Sequence, residues 1–500
     1  MLFNSFFFLL VYLPAAMAGF FLIGGRRPGL AAGWLAAASL AFYAWWSVSY
    51  FPLLLGSIIG NFAFGIALSR LRAAGRRAAL RSVFTAAIAL NLGLLGYYKY
   101  RGFAVANFGT LLGYDWPAGE QFIPLGISFF TFTQIAYLAD VYAGRAREYR
   151  PVHYGLFVTF FPHLIAGPIL HHREMMPQFM RQATYRFTSV NLAVGLTIFL
   201  IGLFKKVVLA DSIAPAANAV FDGAAAGASP GAAMAWLGAL AYALQLYFDF
   251  SGYSDMAIGL ARLFGIRFPV NFDSPYKASS MIEFWRRWHM TLSRFLRDYL
   301  YIPLGGNRLG ARRRYVNLLA TMLLGGLWHG AGWTFLAWGG IHGLLLAANH
   351  GWRAVVARAG WQWPRRRAWA AVAHGLTFVA VLLAWVPFRA ADWPTATHLW
   401  LAMVGLGTAA TPAVGPLHPT QLVLLGALLV VTWLFPNTQE VMRRYHPSIE
   451  DGMRQGSRPV ARFLEWRPRP YWICCITLIA LTTLFMMANR THTEFLYFQF

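Results

Sequence analysis

The chain has 500 residues, of which 58% are hydrophobic, 17% are aromatic and only 12% are charged. A soluble domain carries about a quarter charged residues, so this composition excludes a soluble globular protein and predicts a polytopic membrane protein. The formal net charge of +24 does not indicate nucleic-acid binding, because the basic residues cluster between apolar runs, a pattern typical of cytoplasmic loops beside anionic lipid headgroups.

Apolar segments follow one another along the whole chain and predict an all-α membrane protein with about ten to twelve transmembrane helices. Some segments are too short, or too interrupted by Gly and Pro, to be simple spans, so re-entrant and interfacial helices are expected as well. No internal repeat or soluble-type segment is visible, which predicts a single membrane domain over residues 1–500. The apolar segments lie at 4–24, 30–48, 51–69, 80–98, 122–142, 152–170, 188–209, 231–263, 315–350, 370–388, 421–436 and 471–489.

The first segment ends like a signal peptide, with small residues around Ala18, but no basic residue precedes Arg26 and Arg27. We therefore expect a first span that is retained, with its N-terminus outside the cytoplasm. Weak charge alternation leaves the orientation between 145 and 230 open. Loops predicted to be cytoplasmic, because they are rich in arginine, lie at 70–81, 285–314, 353–367 and 443–469.

Two carboxylates, Asp249 and Asp255, interrupt the apolar run 231–263. Six residues apart on a helix they point about 240° from each other, so they do not form a paired-carboxylate dyad. Asp255 is placed to accept a hydrogen bond from Ser251 one turn back. A buried carboxylate must be neutral, paired or hydrated, and two roles stay open: pinning the helix bundle or contributing to a binding site.

Residues 281–301 combine aromatic and basic side chains and predict a basic amphipathic helix at the membrane surface. One interpretation is a simple interfacial anchor. The other is that this helix lines the cytoplasmic mouth of a cavity, with His289 directed inward. The apolar side of the predicted helix comprises Phe284, Trp288, Thr291, Leu292 and Phe295, and the basic side comprises Arg286, Arg287, Arg294 and Arg297.

His329 lies in the stretch from Tyr315 to Trp352, which holds no Lys, Arg, Asp or Glu. On a helix it would lie about 22 Å beyond Arg314, well inside a bilayer. A helix over the whole stretch would be about 57 Å long, too long for one straight span, so a break is expected near the glycines around His329. Such a break would leave His329 beside free backbone donors able to hold an oxyanion.

The uncharged stretch around His329, taken by itself, leaves two interpretations of this residue open. It is either a neutral histidine satisfied by a neighbouring helix, or part of a functional site that faces a cavity. No serine-nucleophile elbow, His-Glu-x-x-His zinc motif or phosphate-binding Walker loop is present. The adjacent Cys474 and Cys475 indicate neither a metal cluster nor a disulfide framework, so no metal site is expected.

Several segments, in the order in which they occur along the chain, resemble the motifs of the membrane-bound O-acyltransferase (MBOAT) family. Within it the likeness is strongest to members that act in O-acetylation of alginate, with the D-alanyl transferases of teichoic acids more distant. The part richest in motifs is 120–350. The segments that carry the resemblance are 124–132, 161–168, 247–255, 284–298, 301–308, 325–330 and the final residues 495–500.

The resemblance implies a bundle of helices around a central tunnel, with His329 as the catalytic histidine and His289 as a second histidine of the site. At His163 the related proteins often carry Gln, and His171 and His172 are further local variation. The remaining candidate residues for binding substrate or donor are Trp328, Asp249, Asp255 and Asn307, and those for holding the donor's phosphates are Arg286, Arg287 and Arg294.

The activity implied by the resemblance is acyl transfer to a hydroxyl group, with His329 as the general base. The donor would be acetyl-CoA or another acyl thioester reached from the cytoplasm, with no bound cofactor. Acetyl groups would pass, with a periplasmic acetyltransferase partner protein, to an extracytoplasmic polysaccharide such as alginate. The expected location is the bacterial inner membrane.

Two other functions are weighed against this one. A transporter of lipid-linked sugars would be expected to show broken helices in matching halves of a repeat, and no repeat is visible. D-alanyl transfer to teichoic acid would need a carrier protein that holds D-alanine as a thioester.

Overall fold

The computed structural model describes residues 1–113, 123–148, 150–360, 367–407, 415–449, 464–490 and 495–496. This part of the chain is built from α-helices joined by short turns, and it contains no β-strand. The expected all-α architecture is confirmed, and each of the twelve predicted apolar segments contains one or two helices.

The N-terminal third contains six α-helices. A π-helical turn, Phe8–Tyr12, leads into the first, and a second π-helical turn, Gly96–Tyr100, joins the fourth to the fifth. Prolines lie in the first turn of several of these helices, where the missing N–H breaks no helical hydrogen bond. The helices are α1 Leu13–Gly24, α2 Pro28–Trp46, α3 Phe51–Ala73, α4 Arg77–Leu95, α5 Arg101–Leu112 and α6 Ile127–Tyr142.

The middle third contains six more α-helices and the longest element of the fold. The predicted segment 152–170 breaks at Phe160 into two short helices, with Pro162 in the first turn of the second. A π-helical turn, Lys205–Ala210, links the fourth of the set to the fifth. The helices are α7 Pro151–Thr159, α8 Phe161–Leu164, α9 His172–Phe179, α10 Ser189–Phe204, α11 Asp211–Ala225 and α12 Ala232–Leu263.

The C-terminal part holds the elements that carry both predicted histidines. A π-helical turn, Arg297–Tyr301, precedes the third of these helices. Short 3-10 turns lie at Gln182–Tyr185, Pro275–Lys277 and Arg443–Tyr445. The helices are α13 Met281–Trp285, α14 Met290–Leu296, α15 Gly310–His329, α16 Trp333–Arg358, α17 Arg367–Arg389, α18 Trp393–Met403, α19 Pro419–Leu434, α20 Thr438–Met442 and α21 Pro470–Asn489.

Within the described residues, five helical segments are by themselves long and apolar enough to cross a membrane, or six if the bent pair α19 and α20 counts as one span. This is fewer than the predicted ten to twelve, because other helices are short, broken or carry polar residues. The clearest example is α12, which carries Asp249 and Asp255 and is buried continuously from Ala241 to Leu263.

Helix α12 is the centre of the fold, and α10 packs along it at very short range. A Cβ on Gly252 would lie 2.7 Å from the carbonyl oxygen of Gly202, and one on Gly259 would lie 2.7 Å from that of Gly195. Each helix thus presents two glycines seven residues apart, which lets the two backbones touch. This contact forms the core behind the histidine-bearing helices.

Candidate active site

His329 is the last residue of α15, at the break between α15 and α16. Gly330 is extended (φ −158°, ψ 150°), and α16 starts at Trp333. The ring of Phe335 lies where a Cβ on Gly330 would be, so only glycine lets the chain leave the helix in this way. The expected break near the glycines is confirmed, and it leaves the buried His329 side chain at a helix end.

The backbone carbonyls at the end of α15 are bound by side chains of the π-helical turn Gly96–Tyr100. At the C-terminal end of a helix the groups without helical partners are carbonyls, whereas free N–H groups belong to a helix start. Tyr100 Oη donates to the carbonyl of Leu327 (2.8 Å), and Lys99 Nζ donates to the carbonyls of Trp328 and His329 (3.1 Å for the latter). The N–H groups of the first turn of α16 begin four residues later, at Trp333, and the predicted role of backbone donors beside His329 stays a prediction.

His289 lies in a break that the sequence did not indicate. The predicted continuous helix over 281–301 is divided into α13 and α14, with His289 between them in the left-handed region (φ 44°, ψ 52°). Two backbone hydrogen bonds hold this turn: Met290 N–H donates to the carbonyl of Asn271 (2.9 Å), and Asp273 N–H to that of Arg287 (2.9 Å). The side chain of His289 is fully buried, which agrees with the interpretation in which it is directed inward.

The two histidines, 40 residues apart in sequence, lie next to each other in space. Their ring centroids are 6.3 Å apart and the rings are inclined by 60°. Trp328 contacts both, at 4.9 Å from the His329 ring and 6.1 Å from the His289 ring. Phe250 covers His289 at 4.7 Å, and Trp338 covers His329 at 5.1 Å. The pair is therefore enclosed by aromatic rings that keep bulk water out.

Asn271 determines which nitrogen of His289 carries the proton. The backbone N–H and the hydroxyl of Thr291 both donate to Asn271 Oδ1 (3.2 and 2.9 Å), which identifies that atom as the acceptor oxygen of the amide. His289 Nδ1 lies 3.2 Å from the same oxygen, so Nδ1 must be the donor. The neutral ring then has its lone pair on Nε2, where it can accept a proton or a hydrogen bond.

A third buried histidine, His342, lies one helical turn beyond Trp338. The indole of Trp285, which can only donate, contacts His342 Nδ1 at 3.3 Å, so the proton of a neutral His342 is on Nε2. No hydrogen-bond partner of His342 Nε2 is present among the described residues. The rings of Trp338 and Trp285 pack against His342 at 4.8 and 5.2 Å. This histidine is not among the site residues predicted from the sequence.

Comparison with known proteins identifies the family. The model of the membrane-bound O-acyltransferase family matches residues 142–385, a range that contains His289, His329 and Asn271. The peptidoglycan O-acetyltransferase of Helicobacter pylori is 42% identical over 81% of this chain and 80% of its own. The probable alginate O-acetylase AlgI of Pseudomonas putida is 38% identical over 100% of both chains. The chain belongs to the membrane-bound O-acyltransferase family.

Membership of the membrane-bound O-acyltransferase family makes this protein a multi-pass membrane enzyme that transfers acyl groups. The resemblance identified from the motifs is thereby confirmed. A teichoic acid D-alanyltransferase of Streptococcus thermophilus is also similar, at 30% identity over 46% of this chain and 57% of its own. That relationship is more distant than the one to the O-acetylating members.

In this O-acyltransferase, Asp249 and Asp255 lie in ion pairs and have no contact with the histidine pair. Asp249 pairs with Lys206 (2.7 Å), and Asp255 with Lys205 (2.6 Å). Asp255 also accepts hydrogen bonds from the side chains of α20. Ser251 Oγ has no hydrogen-bond partner within the described residues, so the expected bond from Ser251 to Asp255 was wrong. The observed contacts are those of residues that pin the bundle.

The arginines predicted to hold donor phosphates divide into two groups. Arg287 pairs with Glu283 (2.8 Å), and Arg294 forms a two-pronged pair with Glu174 (2.7 and 3.0 Å). Burial raises the pKa of Glu283, but hydrogen bonds from Ser279 and the Arg287 charge outweigh it and lower that pKa to about 2. Both guanidinium groups are therefore already neutralised. Arg286 is exposed and is the candidate of the three for binding an anion.

Asn307 lies far from the histidines. It is exposed in the turn before α15, whereas His329 is at the other end of the same helix. A helix from Gly310 to His329 is about 28 Å long at ~1.5 Å per residue. The structure does not bring Asn307 together with the histidine pair.

The histidines of the segment after α7 also lie elsewhere. His163 is buried against Phe268 (5.8 Å between ring centroids). His171 Nδ1 contacts Tyr299 Oη (2.9 Å) and lies 3.8 Å from Asp140. His172 lies 3.5 Å from Glu148. His171 and His172 thus lie beside carboxylates and His163 beside phenylalanine rings, and none of the three extends the site around His329.

Three polar residues that contact the two histidines or the residues packed against them were not predicted from the sequence. They are Lys99, Asn271 and His342. A signal for Lys99 was present, since it is a lone lysine at the end of the apolar segment 80–98. Asn271 carried no signal, because it is one of several polar residues in the loop between α12 and α13 and no motif sets it apart. His342 lies in the same uncharged stretch as His329 and carries the same signal of an ionisable group at membrane depth.

Proposed function

We propose that this protein is a bacterial inner-membrane O-acetyltransferase that takes acetyl groups from a cytoplasmic thioester, such as acetyl-CoA, for O-acetylation of an extracytoplasmic polysaccharide such as alginate. The observation that carries the proposal is the buried His289–His329 pair, with ring centroids 6.3 Å apart, in a chain similar over its full length to a probable alginate O-acetylase. A periplasmic acetyltransferase partner completes delivery, and a central tunnel connects donor and acceptor.

The chemistry needs a base, a hydroxyl and a thioester. Neutral His329 removes the proton of the acceptor hydroxyl as its oxygen bonds to the acyl carbon. The carbon–sulfur bond then breaks, and the departing thiolate takes the proton from His329, so an ester and a free thiol result without net proton change. Because the single proton of the reacting hydroxyl goes to His329, the Nε2 lone pair of His289, whose Nδ1 is held by Asn271, accepts from another donor of the acceptor molecule, such as a neighbouring hydroxyl, and so orients that molecule. The aromatic enclosure limits hydrolysis of the thioester.

We propose that the donor's phosphates bind at the exposed side chain of Arg286, because Arg287 and Arg294 already form ion pairs with carboxylates. The acceptor hydroxyl belongs either to the glycan itself or to the partner protein that passes the acetyl group on. Peptidoglycan is the second candidate acceptor, because a relative 42% identical to this chain is named a peptidoglycan O-acetyltransferase.

The test is the acetate content of purified polysaccharides from cells that express His329→Ala or His289→Ala at normal protein level. General base catalysis contributes about 10²–10⁴-fold, so His329→Ala should reduce polysaccharide-bound acetate to background. His163→Gln serves as the matched control, because this histidine is also buried but lies outside the pair. It should retain acetylation.

Alginate and peptidoglycan are analysed separately, in strains that lack their own acetyltransferase. Acetate restored on only one of them identifies the acceptor. Undiminished acetylation with His329→Ala would refute the role of that residue, and D-alanine esters in place of acetate would assign the protein to the teichoic acid reaction.

A further inference from the structure

Lys99 is a buried cation without a carboxylate partner. It lies in the π-helical turn Gly96–Tyr100, and its side chain is 3% exposed. Among the described residues no Asp or Glu lies within ion-pairing distance of its ammonium group. Burying an unpaired ammonium is costly, so its surroundings must compensate for the lost hydration.

The compensation comes from the end of α15 and from α6. Lys99 Nζ donates to the carbonyls of Trp328 and His329 and to Ser128 Oγ (3.3 Å). The C-terminal end of a helix carries partial negative charge on its unpaired carbonyls, which favours a cation there. The Trp328 ring, with its centroid 5.8 Å from Nζ, adds a cation–π contact.

The ammonium group has no donor left for a substrate. It carries three N–H bonds, and the three acceptors on α15 and α6 use all of them. Lys99 therefore cannot hold an oxyanion while these bonds are intact. Its effect on the reaction must pass through the backbone of Trp328 and His329.

We propose that Lys99 is a positioning residue for acyl transfer: its ammonium clamps the last two carbonyls of α15 and so fixes the direction in which His329 faces His289. The proposal rests on the proposed function for the reaction concerned. The π-helical turn contributes because Lys99 and Tyr100, adjacent in sequence, both reach the end of α15. Such turns occur frequently at functional sites.

The test compares Lys99→Met, Lys99→Arg and Tyr100→Phe in the full-length protein in proteoliposomes, with kcat and KM measured for the thioester donor. Misplacement of a catalytic group by about 1 Å costs about 10²-fold, so Lys99→Met should lower kcat by about that factor while KM for the donor changes little. Lys99→Arg, which keeps the charge and the donors, should recover part of kcat.

Tyr100→Phe is the matched control. It removes a hydrogen bond to the neighbouring carbonyl, that of Leu327, but no charge. We expect a much smaller loss than with Lys99→Met. Equal losses in the two variants, or an unchanged kcat in folded Lys99→Met, would overturn the assignment to the ammonium group.

A second measurement does not depend on activity. Hydrogen exchange of the peptide that covers 326–332 should be faster in Lys99→Met than in the unchanged protein, and nearly unchanged in Tyr100→Phe. If the unchanged protein shows no acyl transfer, the proposed function fails while this exchange comparison still decides whether Lys99 clamps the helix end. Unaltered exchange in Lys99→Met would refute the clamp.

Discussion

At the scale of single residues, the site depends on side chains that orient the two histidines. His289 adopts a left-handed backbone conformation that costs a non-glycine residue about 1–3 kcal/mol and persists only where the surroundings enforce it. Asn271 provides that enforcement, because its backbone carbonyl binds Met290 N–H and its side-chain oxygen binds Thr291 and His289. One asparagine thus sets both the position and the tautomer of His289.

Asn271→Ala should therefore impair the reaction beyond its effect on stability. Without the Asn271 oxygen, His289 is free to carry its proton on Nε2 and can no longer accept a hydrogen bond that orients the acceptor molecule, so kcat should fall by about 10²-fold. Thr291→Val is the control, since it removes a hydroxyl bonded to the same Asn271 oxygen (2.9 Å) but leaves the contact to His289. Steady-state acyl transfer by both purified variants checks this, and a similar loss in the two would contradict it.

At the scale of helices, interruptions place the two histidines, and close packing holds the helices around them. The break after α15 ends a helix at His329, and the break after α13 turns His289 inward. Behind them α12 runs without interruption for 32 residues, and part of its length packs against the 16-residue α10. The glycines of that contact allow a short distance between backbones that no larger residue permits.

Gly252→Ala should destabilise the protein, although Ala favours helices more than Gly. Its Cβ would lie 2.7 Å from the carbonyl of Gly202, and overpacking of this kind costs about 1–3 kcal/mol. Gly60→Ala in α3 is the matched control, because a Cβ there meets nothing within 4 Å. The thermal unfolding midpoint in detergent should fall for Gly252→Ala and stay equal or rise for Gly60→Ala. The opposite order would contradict the observed packing.

At the scale of the whole molecule, buried ion pairs join parts of the chain that are distant in sequence. Lys206 pairs with both Asp249 of α12 (2.7 Å) and Asp211 of α11 (2.8 Å). The backbone N–H of Leu496 donates to Asp249 (3.2 Å), and the ring of Phe495 lies 5.0 Å from Lys206 Nζ. The same ion pairs therefore connect two central helices with residues close to the C-terminus.

Lys206→Met should destabilise the protein more than Asp249→Asn does. The first substitution leaves two carboxylates without their cation, and breaking a buried pair in this way costs about 3–5 kcal/mol. The second leaves Lys206 paired with Asp211 and keeps an acceptor for Leu496. Unfolding midpoints of the two purified variants check the order, and a more stable Lys206→Met would show that the pair does not hold the helices together.

The sequence by itself determined the class of the protein, the helical segments and the family, and it singled out the two candidate histidines, His289 and His329. These follow from local properties: apolar runs long enough for a bilayer, glycines that end a helix beside His329, and motifs read in chain order. The break at His289 was not predictable, because residues 286–289 contain neither Gly nor Pro and the turn is imposed by Asn271 and Asp273 from another part of the chain.

Only the tertiary structure decided which polar residues meet. Asp249 and Asp255 form ion pairs with lysines, and Arg287 and Arg294 form ion pairs with carboxylates. Asn307 lies at the end of α15 that is opposite His329. The fold also brings Lys99 to the helix end at His329, across about 230 residues of sequence. The physical reason is that hydrogen bonds and ion pairs are satisfied by whichever partner the folded chain brings within reach, and the linear order of residues does not specify that partner.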